Sequence, residues 1–372
     1  MYKFKKSFSN FYKFFIYKIF KLIYGKIESI YVANAREDVI EEKIILSENS
    51  YKLYHCKNSI LYTDRIHDLA IIKDNSIING PSFQYRNNEI GLPVNEECRF
   101  NSVFKKGTPR FKKKLKGSVF SLLTGGGGNH NYWHWLFDVL PRLGILEKSI
   151  NNKNIDFYLF PELNQTFQKE SLDLLNLPEL KRLSSKVYRH LSADEIVATS
   201  HPYNLLNDPL VDSLYIPQWI IDFLKKNFLS KIKSEKNEKK VKKIFINRKD
   251  GKTFRFISNE KEVEKFLVRK GFQSLTLSNY NFLEQIKIFN NADYIIGLHG
   301  AGFANTIFSQ PKTKILELKA VTAGDAIKNL VENNNLIYNH LSFVNKTFNF
   351  NDQNGDIEVD INLLNKTLGS TV

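Results

Sequence analysis

Asp293-Tyr294-Ile295-Ile296-Gly297-Leu298-His299-Gly300-Ala301-Gly302-Phe303-Ala304-Asn305 is the stretch from which the rest of the chain can be read. Tyr294, Ile295 and Ile296 form a short apolar run with β-branched residues, the pattern of a buried strand. Small residues follow as far as Gly302, and residues 303–308 can open a helix. A strand, a glycine turn and a helix N-terminus together make an anion site. Small residues let a phosphate reach the backbone, and the first-turn N–H groups point at it. His299 stands at the strand end, where open α/β sheets bind their ligands, and an imidazole there can donate to a phosphate oxygen. A tight turn with a packed histidine is the competing reading, because short glycine motifs recur without a ligand.

Around this stretch the pattern alternates from residue 243 onward. Residues 244–246, 273–277, 294–297 and 314–318 predict strands, and residues 259–270 and 282–290 predict helices. Such β-α-β order implies a parallel, doubly wound sheet. Pro311 fits a break between helix and strand, and residues 357–368 predict a closing helix. Arg248 follows the first strand and can fork onto phosphate oxygens. Arg255, in the next loop, can add a second contact. Glu317 ends the last strand and can accept from ribose hydroxyls; a buried structural carboxylate is the alternative.

A second distinctive stretch lies upstream. Residues 118–123 predict a strand that runs into Gly125-Gly126-Gly127-Gly128, followed by Asn129-His130-Asn131-Tyr132-Trp133-His134-Trp135-Leu136-Phe137-Asp138. No Gly-Lys-Ser/Thr follows the glycines, so this is not a P-loop. On a helix His134 and Asp138 share a face, as do Asn131 and Trp135. A carboxylate beside an imidazole can act as a general-base pair. The alternative is a helix with core aromatics whose Asp138 pairs with Arg142.

The 372 residues suggest about two domains, and the 42% apolar content is that of a soluble globular protein. Cys56 and Cys98 make neither a disulfide framework nor a zinc pattern, which favours a reducing compartment. The formal charge of +15 fits anionic partners, or a codon bias toward lysine. Residues 1–26 carry Lys3, Lys5, Lys6, Lys13, Lys18, Lys21 and Lys26 and no acid. Phe4, Phe8, Phe11, Phe15, Ile19 and Leu22 recur along one helical face. The uncharged run is far short of the ~20 residues of a spanning helix. This amphipathic helix therefore predicts an in-plane anchor on an anionic membrane, or a helix packed on the protein body. Residues 105–116 are a second basic run without an acid, either a solvated loop or an electrostatic platform. No helix-turn-helix, zinc finger or basic-aromatic pattern points to nucleic acid.

Between these landmarks, residues 40–46, 59–62, 69–72, 156–160, 188–191 and 195–198 predict strands, and residues 167–177 and 217–228 predict helices. His55, Asp64, His67 and Asp68 read as surface or turn residues. The charged stretch 231–243 reads as a linker. The division is a helix over 1–26, an acceptor-side α/β domain over 27–235, a nucleotide-binding domain over 236–345 and a tail over 346–372.

Several segments, in their order and spacing, resemble glycosyltransferase family 61. They are Asn131 to Arg142; Asn247-Arg248 through Arg255 to Asn259-Glu260; Glu284-Gln285; Gly297 to Asn305; and Ile315-Leu316-Glu317-Leu318. That family includes bacterial capsule-type proteins, plant xylosyl- and arabinosyltransferases and O-linked N-acetylglucosamine transferases. The resemblance implies a GT-B fold of two Rossmann-like domains facing a cleft, a nucleotide-sugar donor and inversion at the anomeric carbon. It implies no catalytic metal and no other cofactor, and the sequence has no Asp-x-Asp. Carried onto this chain, Arg248, Arg255, His299, Gly300, Ala301, Gly302, Asn305 and Glu317 are donor-binding candidates. His130, His134 and Asp138 are the candidate bases, and Asn131, Trp135 and Arg142 are on the acceptor side. The expected acceptor is a glycan or lipid-linked glycan of a cell-surface polysaccharide, at the inner face of the cytoplasmic membrane. A non-catalytic glycan- or nucleotide-binding module is the alternative.

Overall fold

The computed structural model describes residues 2–84, 98–124, 127–150, 155–203, 215–232, 241–251, 255–345 and 355–369. The chain divides into two compact units, Met1–Gln165 with Leu177–Asp212, and Thr166–Asn176 with Ser213–Val372.

Among the described residues the second unit is built on five parallel strands. Their order across the sheet is Gln273–Leu275, Lys243–Ile246, Tyr294–Leu298, Lys314–Ala320 and Ile337–Phe343. Phe245, Ile295, Ile296, Ile315 and Leu316 are almost wholly buried. Strands covered on both faces need such unbroken apolar runs. The helices Glu260–Arg269, Phe282–Asn291 and Ala326–Asn333 complete the alternation. Lys243–Ile246 is first in sequence but lies between the second and third strands. The winding reverses there, and ligands of open α/β sheets bind outside the strand ends at such a point. Arg248 and the glycine turn of residues 299–302 follow these two adjacent strands.

Two segments ahead of the charged stretch also belong to this unit. Phe228, on the helix Gln218–Leu229, packs its ring against Phe282 and Phe308 at 5.0 and 6.2 Å. Glu170, on the helix Thr166–Leu174, accepts the Phe282 N–H at 2.7 Å. The division therefore falls earlier than residues 231–243, because buried aromatics carry more weight than a run of charge. The tail joins the unit as well. Asn259 holds Val359 by two hydrogen bonds, at 2.9 and 3.0 Å, and the helix Ile361–Gly369 buries Leu364.

The first unit is not the doubly wound parallel sheet expected of a second Rossmann-like domain. Among the described residues it is one mixed sheet of eleven strands. Ser118–Ser121 runs parallel to both His190–Thr199 and Phe157–Phe160, and Arg182–Ser184 extends that parallel half. The long strand Asn49–Thr63 then turns the sheet antiparallel, pairing with His190–Thr199, Val39–Leu46 and Asp68–Lys73. The cause is in the connections. Asp74 and Asn75 both take positive φ, 47° and 56°, in the two-residue turn between Asp68–Lys73 and Ser76–Asn79. Such a turn can join only antiparallel neighbours.

Two polar residues read as surface are buried instead. His55 lies between Glu195 and Glu42, at 3.2 and 3.6 Å, and Asp68 accepts the Ser102 N–H at 3.0 Å. The helix Tyr2–Tyr24 stops at Gly25, whose φ of 85° suits glycine. Among the described residues no helix is long and apolar enough to cross a membrane.

Candidate active site

In the second unit the strand ends assemble a cationic turn. The Arg248 N–H donates to Glu260 Oε1 at 2.7 Å, which ties the loop to the start of the helix Glu260–Arg269. The guanidinium then lies against the glycine turn. A Cβ on Gly300 would stand 3.0 Å from Arg248 Nη1, so a larger residue there would push the arginine away. Arg255 reaches the same turn and donates to the His299 carbonyl at 3.4 Å, while its buried Nε has no hydrogen-bond partner. Burial holds both guanidinium pKa values below the ordinary arginine value, and the Arg248 charge adds to the effect on Arg255. Two half-buried cations that repel each other form a site complementary to an anion. The short helix Ala301–Phe308 begins at the turn, with Ala301 and Gly302 half-exposed at its first positions.

His299 is fixed from behind. Its Nδ1 bonds Glu317 Oε1, and Glu317 Oε2 accepts the Tyr338 hydroxyl at 2.5 Å. Glu317 is wholly buried with both oxygens engaged. It orients the imidazole and has no face for a ribose, which corrects the sequence reading. Burial and the Glu317 charge raise the Tyr338 pKa, so the phenol remains a donor. Asn305 is also a support rather than a donor contact. It is wholly buried and donates to Gln285 Oε1 at 3.0 Å, and Gln285 in turn holds the carbonyls of Leu277 and Tyr280. Glu284 is spent in a capping box with Asn281.

In the first unit the helical stretch is not regular. Tyr132–His134 runs into a π-helical turn, Trp135–Val139, and then into the helix Pro141–Glu147. Pro141 has no N–H to donate into the preceding turn. The Leu140 N–H reaches back five residues to the Trp135 carbonyl at 3.1 Å. Gly128 packs against this turn, since a Cβ there would meet Val139 Cγ2 at 2.4 Å. A Cβ on Gly127 would stand 3.4 Å from the His134 ring. Gly125 and Gly126 lie outside the described residues.

Asp138 is the centre of this cluster. Oδ2 faces His134 Nδ1 at 2.8 Å, Oδ1 accepts the Tyr203 hydroxyl at 2.6 Å, and His201 Nε2 lies 3.8 Å from Oδ2. The Asp138 side chain is 3% exposed and that of His134 is 24%, so the imidazole is the member that can meet a substrate. Burial alone would raise the Asp138 pKa. The His134 charge and hydrogen bond, helped by His201, outweigh burial and hold the carboxyl well below its usual range. Burial also pulls His134 down, but Asp138 overcomes it and leaves the imidazole pKa above the ordinary histidine value. His201 remains below that value, with burial the largest cause.

The other upstream candidates separate from this pair. His130 is exposed, with Nδ1 3.3 Å from Gln165 Nε2. Asn131 caps the helix by accepting the Trp133 N–H at 2.9 Å. Trp135 is wholly buried against Phe160. Arg142 is buried too. Its Nε donates to the Asp138 carbonyl at 3.0 Å and its Nη1 to Thr199 O and Oγ1 at 3.2 and 3.0 Å. Trp135 and Arg142 therefore frame the site and do not face an acceptor. Sequence reasoning missed His201 and Tyr203. The only local signal is His201-Pro202-Tyr203 just beyond the strand His190–Thr199.

Residues 132–316 match the family model described as Glycosyltransferase 61. The chain belongs to glycosyltransferase family 61. The family 61 match starts on the helix that carries His134 and Asp138 and stops one residue before Glu317. It takes in His201, Tyr203, Arg248, Arg255 and the glycine turn, and leaves out the helix Tyr2–Tyr24. No curated protein matches the chain. Among the described residues no cluster of three or more His, Cys, Asp or Glu could hold a metal ion.

Proposed function

We propose that this family 61 member transfers a sugar from a nucleotide-sugar donor to a hydroxyl of a glycan acceptor, with inversion and without a metal, in the assembly of a cell-surface polysaccharide. The two units divide the work. The second unit binds the donor diphosphate with Arg248, Arg255, His299 and the first residues of the helix Ala301–Phe308. The first unit supplies the base. His134 takes the proton of the acceptor hydroxyl as its oxygen bonds the anomeric carbon. The bond from that carbon to the phosphate oxygen breaks, and its electron pair leaves with the diphosphate. Asp138 holds the His134 Nδ1–H so that Nε2 is the basic edge. The arginines stabilise the charge that develops on the leaving group.

The observation that carries this reading is the paired guanidinium site beside Gly300, with the Arg255 Nε buried and unpartnered. A thermal-shift screen of nucleotide sugars and nucleoside diphosphates tests it. A ligand at 100 times its dissociation constant stabilises by about 2.7 kcal/mol. Stabilisation by a nucleotide sugar, lost in Arg248→Ala, is expected; indifference to the whole panel would reject it. Turnover of the bound donor separates an enzyme from a binding module. Activity should also survive EDTA, whereas loss on chelation restored by Mn²⁺ or Mg²⁺ would contradict a purely cationic diphosphate site.

A further inference from the structure

The helix Tyr2–Tyr24 presents two different faces. One is docked on the first unit. Phe20 is buried with its ring 5.2 Å from Phe111, and Tyr24 sets its ring edge on His190 at 4.8 Å. The Tyr24 hydroxyl accepts the Lys112 N–H at 3.0 Å, and Lys21 Nζ donates to the Lys105 carbonyl at 2.6 Å. The basic stretch it grips is tied to the sheet through its backbone, with its cations left in solvent. His190 Nδ1 donates to the Arg110 carbonyl at 2.8 Å, and Lys113 and Lys114 pair in parallel with Leu191 and Ser192. Two stretches 84 residues apart are thus fixed to one another.

The other face is bare. Phe11 is 71% exposed, Phe15 59% and Leu22 89%. Helical spacing puts these three on one side and Phe20 and Tyr24 on the other. The helix carries no acid, and neither do residues 105–116, whose Arg110, Lys112, Lys113, Lys114 and Lys116 are all exposed.

We propose that this apolar stripe and the basic stretch behind it form a single surface that docks on the anionic face of a lipid bilayer. A basic helix with bulky apolar residues lies in the interfacial plane and sinks its apolar face about 5–10 Å. A helix is about 10 Å across, close to the Debye length of roughly 8 Å at physiological salt. Cations on its docked side therefore still feel the headgroups. A second copy of the chain would oppose like charge to like charge, and a nucleic acid would leave the phenylalanines in water. Because the helix is pinned at its last turns, docking sets how the first unit stands on the membrane instead of tethering it loosely. This surface is independent of the transfer chemistry.

Co-sedimentation of the full chain with vesicles tests the proposal. The wild type should pellet with equimolar phosphatidylcholine and phosphatidylglycerol and stay in solution with phosphatidylcholine alone. Phe11→Ser/Phe15→Ser/Leu22→Ser should abolish pelleting while circular dichroism stays unchanged, and Leu22→Ser alone should show a smaller loss. Lys114→Gln/Lys116→Gln should weaken binding about fivefold per lysine and flatten its salt dependence. Three results would overturn the proposal. The wild type ignores anionic vesicles; the lysine pair binds as the wild type does; or the stripe variant changes the oligomeric state while keeping vesicle binding.

Discussion

Each unit contains a histidine whose Nδ1 faces a buried carboxylate that also accepts a tyrosine hydroxyl. In the first unit the set is His134, Asp138 and Tyr203; in the second it is His299, Glu317 and Tyr338. The two are assembled differently. His134 and Asp138 sit one turn apart on the same helical stretch, whereas Glu317 pairs in register with Gly297, two residues before His299. Their surroundings differ more. The arginine beside Asp138 is Arg142, which is engaged with main chain and Thr199. Beside His299 stand Arg248 and Arg255, the second raising its own charge against the first. In the proposed function the same pair serves as a proton acceptor in one place and as part of an anion site in the other. The neighbours, not the pair, decide the role.

The sharpest way to break this contrast is to neutralise each carboxylate. Asp138→Asn should lower turnover by about 10²- to 10⁴-fold with donor affinity kept. Because Asp138 holds the His134 pKa up, wild-type turnover should rise with pH to a midpoint above the ordinary value of about 6.5, and the midpoint should fall in the variant. Glu317→Gln should act instead on donor affinity. Similar kinetic signatures for the two variants would remove the distinction.

A third histidine provides the control. His190 donates to a carbonyl rather than a carboxylate, and burial pushes its pKa down to about 4. Its folded form resists protonation, so its contribution is complete above about 6.5 and is lost as pH falls toward 4, by roughly 3 kcal/mol. Denaturant melts across this range should show that slope, and His190→Gln should remove it.

The arginine pair makes the next, smaller claim. Arg255→Gln should weaken nucleoside diphosphate binding about tenfold or more, as for a lost charge-assisted bond of ~1.5–3 kcal/mol. The ligand-free protein should lose no stability, since a repulsion goes with it. The smallest effects belong to the tyrosines. Tyr203→Phe and Tyr338→Phe should each destabilise by about 1.5 kcal/mol, with the first felt in turnover and the second in donor affinity.

The second unit was easy to read from sequence because its strands are buried on both faces. Tyr294–Leu298 is a continuous buried run and Lys314–Ala320 carries Ile315, Leu316 and Leu318 beside it, and Arg248 and the glycine turn follow strands directly. Its edge strand Ile337–Phe343 escaped notice because exposed Asn339, His340 and Ser342 break its apolar pattern, and Tyr338 was missed with it. In the first unit the parallel and antiparallel halves have similar composition, and pairing direction is set by connections far apart in sequence. His201 and Tyr203 reach Asp138 from 63 and 65 residues away, a closure no local pattern contains. A helical reading placed Trp135 with Asn131. The Trp135 N–H does donate to the Asn131 carbonyl at 3.0 Å, yet the indole is wholly buried while Asn131 is exposed, so the shared helical turn does not put the two side chains in one site.

The division of labour between the two units is tested most directly by measuring donor affinity and turnover together for His134→Ala and Arg248→Ala. Isothermal titration with the nucleoside diphosphate gives the first quantity, and donor consumption with saturating nucleotide sugar gives the second. The account predicts that His134→Ala binds as the wild type does and loses most turnover, by about 10²-fold or more. It predicts that Arg248→Ala loses affinity by at least tenfold, as expected for a forked, charge-assisted contact. Wild-type affinity in Arg248→Ala, or near-normal turnover in His134→Ala, would contradict it.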